Sequence, residues 1–244
     1  MCGRYAITTP PEAVRAFFEY AERPNFPPRY NVAPTQPVPI VHLARDPDGE
    51  RRRHFMLARW GFLPSFVKDA KTFPLIINAR AETATEKPSF RAAMKRRRCL
   101  IVADAYYEWL RGPKVGGPKS GKARVSRPYL FRRADAAPIG FAGLWETYCG
   151  PDGSEIDTAC ILTTDANAAT VAIHDRMPAI LDPSDFDAWL DCDGVDAAAA
   201  ARLPAPAPPD AIEFFEIGTA VNKVGNDGPW IQESLAKFTA ASPD

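Results

Sequence analysis

Arg98-Cys99-Leu100-Ile101-Val102-Ala103-Asp104-Ala105-Tyr106-Tyr107-Glu108-Trp109-Leu110 is the stretch whose reading decides the fold. Its β-branched and aromatic side chains favour strand. A period of two sets Tyr106, Glu108 and Leu110 on one face and Tyr107 and Trp109 on the other. Downstream, residues 129–132, 139–148 and 156–163 read as successive strands joined by Gly/Pro/Asp turns, with one more at 212–217 and a short apolar strand at 178–181. Upstream, residues 38–43 and 52–58 flank Asp46-Pro47-Asp48-Gly49 as a hairpin. Thr9-Pro10-Pro11-Glu12 opens a short helix, with Val14, Phe17, Phe18 and Ala21 at helical spacing. Further short helices are expected at 89–97, 165–173 and 183–190, the last capped by Asp182. The Gly/Lys/Pro segment 112–126 and the Ala/Pro-rich segment 197–209 read as loops. No internal repeat is visible. The expectation is an α+β protein: a single domain over residues 1–244 with a mostly antiparallel β core and flanking short helices.

The composition agrees. Among 244 residues, 46% are hydrophobic and 25% charged, which are globular values and exclude collagen, coiled coil and wholesale disorder. The 25 prolines favour short strands and ordered loops over long helices. The longest apolar runs, 73–77 and 99–103, fall far short of the ~20 residues that span a bilayer. The start lacks the apolar core of a signal peptide, so the expected location is cytoplasmic, with no membrane partner. The zero net charge conceals an asymmetry: residues 1–133 hold 26 Lys+Arg against 11 Asp+Glu, and residues 134–244 hold 4 against 19. Either a polyanion meets the basic part, or the two parts neutralise each other. Five cysteines, an odd number with no C-x-x-C, and three histidines argue against a zinc site or a disulfide framework. Cys99 and Cys160 read as core residues. No metal or cofactor is expected.

Several constellations could carry chemistry. Cys2 follows the initiator methionine, and a small residue there permits methionine removal. It would then carry an α-amine (~7.7–8.0) and a thiol (~8.5) on adjacent carbons. Such a 1,2-aminothiol condenses with an aldehyde to an imine, and the thiolate closes a thiazolidine; the alternative is a frayed end. Glu108, between large aromatics on a strand, is either desolvated and suited to proton shuttling, or faces solvent or an arginine. His174-Asp175-Arg176-Met177-Pro178 joins an expected helix to a strand, a place for an acid–base group or for a histidine capping a helix end. Asn78-Ala79-Arg80-Ala81-Glu82-Thr83 and Asn31-Val32-Ala33-Pro34-Thr35 offer donors for phosphate or sugar oxygens. Trp60 and Trp109 could stack on unpaired bases or belong to the core. The basic runs 51–53 and 95–98 read as solvated faces.

Together these segments resemble the SOS response-associated peptidase (SRAP) family of abasic-site processing proteins. The matching pieces, in family order, are Met1-Cys2-Gly3-Arg4-Tyr5, Tyr30-Asn31-Val32-Ala33-Pro34, Trp60-Gly61-Phe62, Asn78-Ala79-Arg80-Ala81-Glu82-Thr83, Tyr107-Glu108-Trp109, Phe141-Ala142-Gly143-Leu144-Trp145, Leu162-Thr163-Thr164 with Asn167, His174-Asp175-Arg176-Met177-Pro178 and Val221-Asn222. Ala105 and Val102 depart from the expected glycine and proline. The resemblance implies an open, barrel-like β core with a positive channel, and capture of abasic sites in single-stranded DNA as a thiazolidine cross-link. It makes Cys2 the nucleophile, with Asn78 orienting its amine or the sugar, Glu108 relaying protons and His174 acting on the sugar oxygen. Arg4, Arg80 and Arg176 would hold phosphates. Asn31, Pro34, Trp60, Trp109 and Thr163 would line the strand's path. A monomer is expected, with any peptidase activity limited to the chain's own start.

Two other readings use the same residues. An N-terminal-nucleophile cysteine amidohydrolase explains Cys2 but leaves the segments around Asn78, Glu108 and His174 without a role. A non-catalytic single-strand-binding module needs only the basic part and the tryptophans.

Overall fold

A computed structural model describes residues 2–112 and 126–235, so nearly all of the loop expected at 112–126 lies outside the described residues. The chain opens with strand β1 (Tyr5–Ile7) and helix α1 (Pro11–Phe18), followed by β2 (Arg29–Val32) and a long hairpin of β3 (Pro37–Arg45) and β4 (Arg51–Trp60). Short β5 (Asn78–Arg80) precedes α2 (Arg91–Arg96), β6 (Arg98–Ala103) and β7 (Ala105–Arg111). Then come β8 (Ser126–Arg133), β9 (Ile139–Cys149), β10 (Glu155–Asp165), β11 (Arg176–Pro178) and β12 (Ile180–Leu181). Helices α3 (Phe186–Leu190) and α4 (Ala197–Ala200) and strand β13 (Ile212–Glu216) complete the regular elements.

Two sheets organise the molecule. In the larger, β10, β4, β3, β6 and β9 are joined in order, and β9 pairs back onto β10, so five strands close a ring. Every residue of β6 is buried, because this strand is flanked within the ring by β3 and β9. The hairpin pairs from Pro37↔Arg59 to Arg45↔Arg51, and Gly49 at φ 88° supplies the left-handed turn residue. The smaller sheet runs β13-β8-β7-β1-β2 and is antiparallel throughout. Asp104 lies between β6 and β7, where the chain passes from ring to sheet. Its carboxylate accepts from the backbone N–H and the hydroxyl of Thr9, each at 2.7 Å, fixing the approach to α1.

The alternation expected for β7 decides what each side chain meets. Tyr106 stacks on Phe131 at 4.8 Å and meets Phe141 edge-on at 6.1 Å, within the main core. Tyr107 points the other way, into a small cluster with Leu130, Ile217, Val221 and Ile231. Glu108 therefore shares the core-facing side with Tyr106 and is only 5% exposed.

Four expectations need correction. The segment 197–209, read as a loop, opens with helix α4, whose start is capped by Asp196 Oδ1 accepting from Ala199 N at 2.8 Å. Residues 165–173 form turns rather than a helix, because the Asn167 Oδ1 accepts from Ala169 N, Thr170 N and Thr170 Oγ1, all at 3.0 Å. A side chain bonding its own following backbone in this way competes with the helical ladder. Arg98, read as part of a solvated face, is buried; its guanidinium donates to the carbonyls of Met94 (2.8 Å), Trp189 (2.5 Å), Asp191 (2.7 Å) and Val195 (2.8 Å), tying α2 to α3 and the turn after it. Helix α1 stops at Phe18 and does not reach Ala21, because Glu19 adopts a left-handed φ of 57°. The segment at 183–190 is a 3-10 turn followed by α3, with Asp182 capping through Ser184 N as expected.

Part of the charge asymmetry is met within the molecule. Arg29–Asp227 (3.3 Å), Arg53–Asp187 (2.6 Å), Arg51–Asp191, Arg127–Glu216 and Arg132–Glu213 all link the basic part to the acidic part. Among the described residues, no helix is long and apolar enough to cross a membrane.

Candidate functional site

Strand β1 lies between β2 and β7, and the residues before it enter the molecule beside Glu108. Cys2 is 0% exposed, with its thiol 3.7 Å from the Arg4 carbonyl. The Asn78 side-chain amide, at the start of β5, donates to the Cys2 carbonyl at 2.8 Å. Register places Asn78 there, since β5 runs parallel to β10 with Asn78 opposite Ile161. Burial, and after it the negative charge of Glu108, push the Cys2 thiol well above its ordinary range. Tyr5 and Tyr106 face each other across β1 and β7, and burial followed by the nearby Cys2 pushes both phenols up. Their hydroxyls, and Oδ1 of Asn78, are buried without a hydrogen-bond partner among the described residues. Each such group costs about 1–3 kcal/mol, and three of them around residue 2 mark a place where the fold tolerates polarity for a reason other than stability.

Beside this cluster opens a cleft of about 430 Å³. Gly3, Arg4, Glu108, Trp109, Arg111, Ser126, His174 and Asn222 line it. Glu108 and His174, 66 positions apart in sequence, thus reach one space. The His174 Nδ1 accepts from the Arg176 backbone N–H at 3.0 Å, which in the neutral ring leaves the proton on Nε2. The Asp175 carboxylate lies 2.9 Å from the same Nδ1, ready to accept from the imidazolium. The ring therefore has a partner for Nδ1 in either protonation state.

The residues expected along a DNA path divide. Arg4 and Trp109 line the cleft and Arg80 is exposed. Pro34 is half-buried in the turn between β2 and β3, beside Thr35 at φ 74°. The other four are turned inward. Trp60 is 0% exposed, donates from Nε1 to the Ile77 carbonyl at 3.0 Å and meets Tyr5 edge-on at 5.0 Å, so it presents no face to a base. Asn31 is buried, its amide donating to the carbonyls of Val221 (3.1 Å), Lys223 (3.1 Å) and Asn226 (2.8 Å). Thr163 is buried in β10. Arg176, with 10% of its side chain exposed, is held bidentate by Glu82 at 2.8 and 2.9 Å and by Asp165 at 2.6 Å. That pairing holds Glu82 below the usual carboxylate range and occupies the donors a phosphate would need. Arg4 is itself anchored, its Nη1 donating to Asn31 Oδ1 at 2.7 Å and Val221 O at 2.8 Å, and burial lowers its guanidinium below the ordinary value.

Four cleft residues, Gly3, Arg111, Ser126 and Asn222, are not among the site residues expected from sequence, although Gly3 and Asn222 lie in segments that match the family. Arg111 was within reach: continuing the period of two from Tyr107 and Trp109 puts it on the same face. The place of Asn222 in the cleft was not, because only the tertiary fold brings residues 219–222 against β8 and Trp109. Among the described residues, no group of three or more His, Cys, Asp or Glu side chains is arranged to hold a metal ion.

The sequence pattern of the family described as SOS response associated peptidase (SRAP) matches residues 1–224. Abasic site processing protein YoqW of Bacillus subtilis is 35% identical over 96% of this chain and all of its own length. Abasic site processing protein HMCES of Xenopus tropicalis is 30% identical over 94% of this chain and 77% of its own. Among solved structures, a protein from Bordetella bronchiseptica has 28% identity and a TM-score of 0.71, covering 89% of this chain and all of that one. A protein from Bacteroides thetaiotaomicron, at 24% identity and a TM-score of 0.77, covers 96% of this chain and 99% of that one and shares the fold.

Proposed function

Because this chain belongs to the SOS response-associated peptidase family, we propose that it processes abasic sites in DNA, capturing them in single strands as a covalent thiazolidine at Cys2 after Met1 is removed. The observation that carries the reading is the convergence on residue 2. Asn78 holds its carbonyl at 2.8 Å, Glu108 acts on its thiol, and Glu108 shares a cleft with His174.

On this reading, loss of Met1 leaves the Cys2 amine next to Gly3, a cleft residue. The opened abasic sugar presents an aldehyde. The amine adds to its carbonyl carbon, and loss of one water gives the imine. The thiolate then adds to the imine carbon while the nitrogen takes up a proton, closing the five-membered ring. Nothing is oxidised or reduced, and no cofactor is used. Glu108, nearly buried and felt electrostatically by the thiol, accepts the thiol proton and returns it to nitrogen or departing water. His174, with Nδ1 committed to the Arg176 backbone, offers its Nε2 proton to the sugar ring oxygen and so favours the open aldehyde. Asn78 fixes the carbonyl of residue 2 and with it the direction of the amine. Arg4 and Trp109 supply charge and an aromatic face to the flanking strand. Arg80, exposed, and Pro34 extend that surface, and the peptidase of the family name is confined to the chain's own start.

The test is a denaturant-resistant adduct with an oligonucleotide bearing one abasic site. The adduct is expected with the native protein and lost in Cys2→Ala, while non-covalent binding persists. An adduct retained in Cys2→Ala would falsify the proposal.

A further inference from the structure

Asn222 sits exposed on the cleft wall, its side chain held by one donor and its backbone carbonyl by another, neither with acceptor capacity of its own. The Trp109 indole N–H donates to Asn222 Oδ1 at 2.7 Å. Because an indole nitrogen can only donate, it fixes which end of the amide is oxygen. Arg4 Nη2 reaches the Asn222 backbone carbonyl at 3.4 Å. The neighbouring carbonyls of Val221 and Lys223 are pinned by Asn31, which is itself bonded to Arg4. The Asn222 Nδ2 has no partner among the described residues and carries two N–H donors on a side chain that cannot flip without losing the indole. Arg4 and Arg111 line the same space. The positive charges of Arg4 and Arg111 and a fixed amide donor along one cleft suit an acceptor that is anionic and carries several oxygens.

We propose that Asn222 is a substrate-contacting residue whose Nδ2 group donates to a phosphodiester oxygen of the strand held in the cleft. The inference rests on the cleft being a binding site for single-stranded DNA and adds a contact to it. Trp109 is then both a stacking surface and the group that orients this donor, and Asn31 acts as a positioning residue behind it.

The experiment measures binding to a single-stranded oligonucleotide carrying a tetrahydrofuran abasic analogue, which has no aldehyde and forms no adduct. Asn222→Asp keeps the oxygen that accepts from Trp109 but replaces the donors with a negative charge. Its Kd is expected to rise at least about tenfold, as losing a hydrogen bond to a charged group implies, with a melting temperature close to wild type. In ¹⁵N-asparagine-labelled wild-type protein, the Asn222 side-chain NH2 resonances should move on titration with the same oligonucleotide; this readout stands even if the variant does not fold. A variant that folds and binds like wild type, or NH2 resonances that stay in place at saturation, overturns the proposal while leaving the function above intact. A wild-type protein that does not bind the oligonucleotide overturns both.

Discussion

The side-chain amide of Asn78 donates to the carbonyl of Cys2 at 2.8 Å, joining β5 to the start of the chain across 76 positions. That bond holds the backbone of residue 2 in one orientation, close to Glu108 on the core-facing side of β7. It predicts that Asn78→Ala forms the adduct more slowly at saturating DNA, with little change in Kd, because the amide holds the nucleophile rather than the strand. A rise in Kd with an unchanged saturating rate would place Asn78 on the strand instead.

Glu108 is nearly buried, and after burial itself its negative charge adds to what holds the Cys2 thiol up. Glu108→Gln should slow adduct formation by up to the ~10²–10⁴-fold typical of general acid–base groups. Because the Glu108 charge contributes to holding the thiol up, the variant should also move the alkaline limb of the pH–rate profile to lower pH. Stopped time courses between pH 6 and 10 check both effects. A variant as fast as wild type removes Glu108 from the chemistry.

The two tryptophans should separate cleanly. Trp60→Ala empties a fully buried site and should cost about 3–5 kcal/mol of stability, read by urea unfolding. Trp109→Ala should lower affinity for single-stranded DNA by about 1–3 kcal/mol, with a much smaller effect on unfolding. The reverse pattern would contradict the assignment of Trp60 to the core and Trp109 to the cleft.

That contrast marks the limit of what the sequence reveals. The β core, the hairpin around Asp46–Gly49 and the alternation of Tyr106, Tyr107 and Glu108 are local patterns of period two, and they carry into the structure. The helix expected at 165–173 fails because one side chain, Asn167, offers the backbone a competing set of bonds that composition does not reveal. Among expected site residues, polarity or aromaticity identified candidates but not their direction. Arg176 and Asn31 are as polar as Arg4, yet Glu82 and Asp165 take up the first and three backbone carbonyls the second. Trp60 and Trp109 differ only in what the ring and the smaller sheet place against them. Asn222 stands in a family-matching pair, but its orientation depends on a residue 113 positions away, which no local pattern reveals.

The charges yield a salt test. Arg111 lines the cleft, whereas Arg176 is paired within the protein. Arg111→Ala should reduce the slope of log K against log[salt] by about 0.7, the value for one phosphate contact on a single strand. Arg176→Gln should leave that slope unchanged. Titrations at four salt concentrations distinguish the two, and a slope lowered by Arg176→Gln rather than by Arg111→Ala would contradict the assignment.

The Glu82–Arg176 pair also predicts an acid limit to stability. Arg176 holds Glu82 below the usual carboxylate range. A carboxylate depressed in the folded state contributes stability above its unfolded value, about 4.3, and loses it as pH falls through the folded value. Asp191, held down chiefly by Arg51, acts in the same sense. Urea midpoints should therefore fall between pH 5 and pH 3, and by less in Glu82→Gln than in wild type. Equal pH dependence in the two proteins would remove the pair from the acid transition.

The central claim is most directly tested by intact mass measurement under denaturing conditions, before and after mixing with an abasic oligonucleotide. The account predicts a polypeptide beginning at Cys2 and, after mixing, a species equal to protein plus oligonucleotide less one water. Borohydride should leave that mass unchanged, since a closed thiazolidine has no imine to reduce. A chain retaining Met1 that still forms the adduct, or an adduct that gains two hydrogens on reduction, would contradict it.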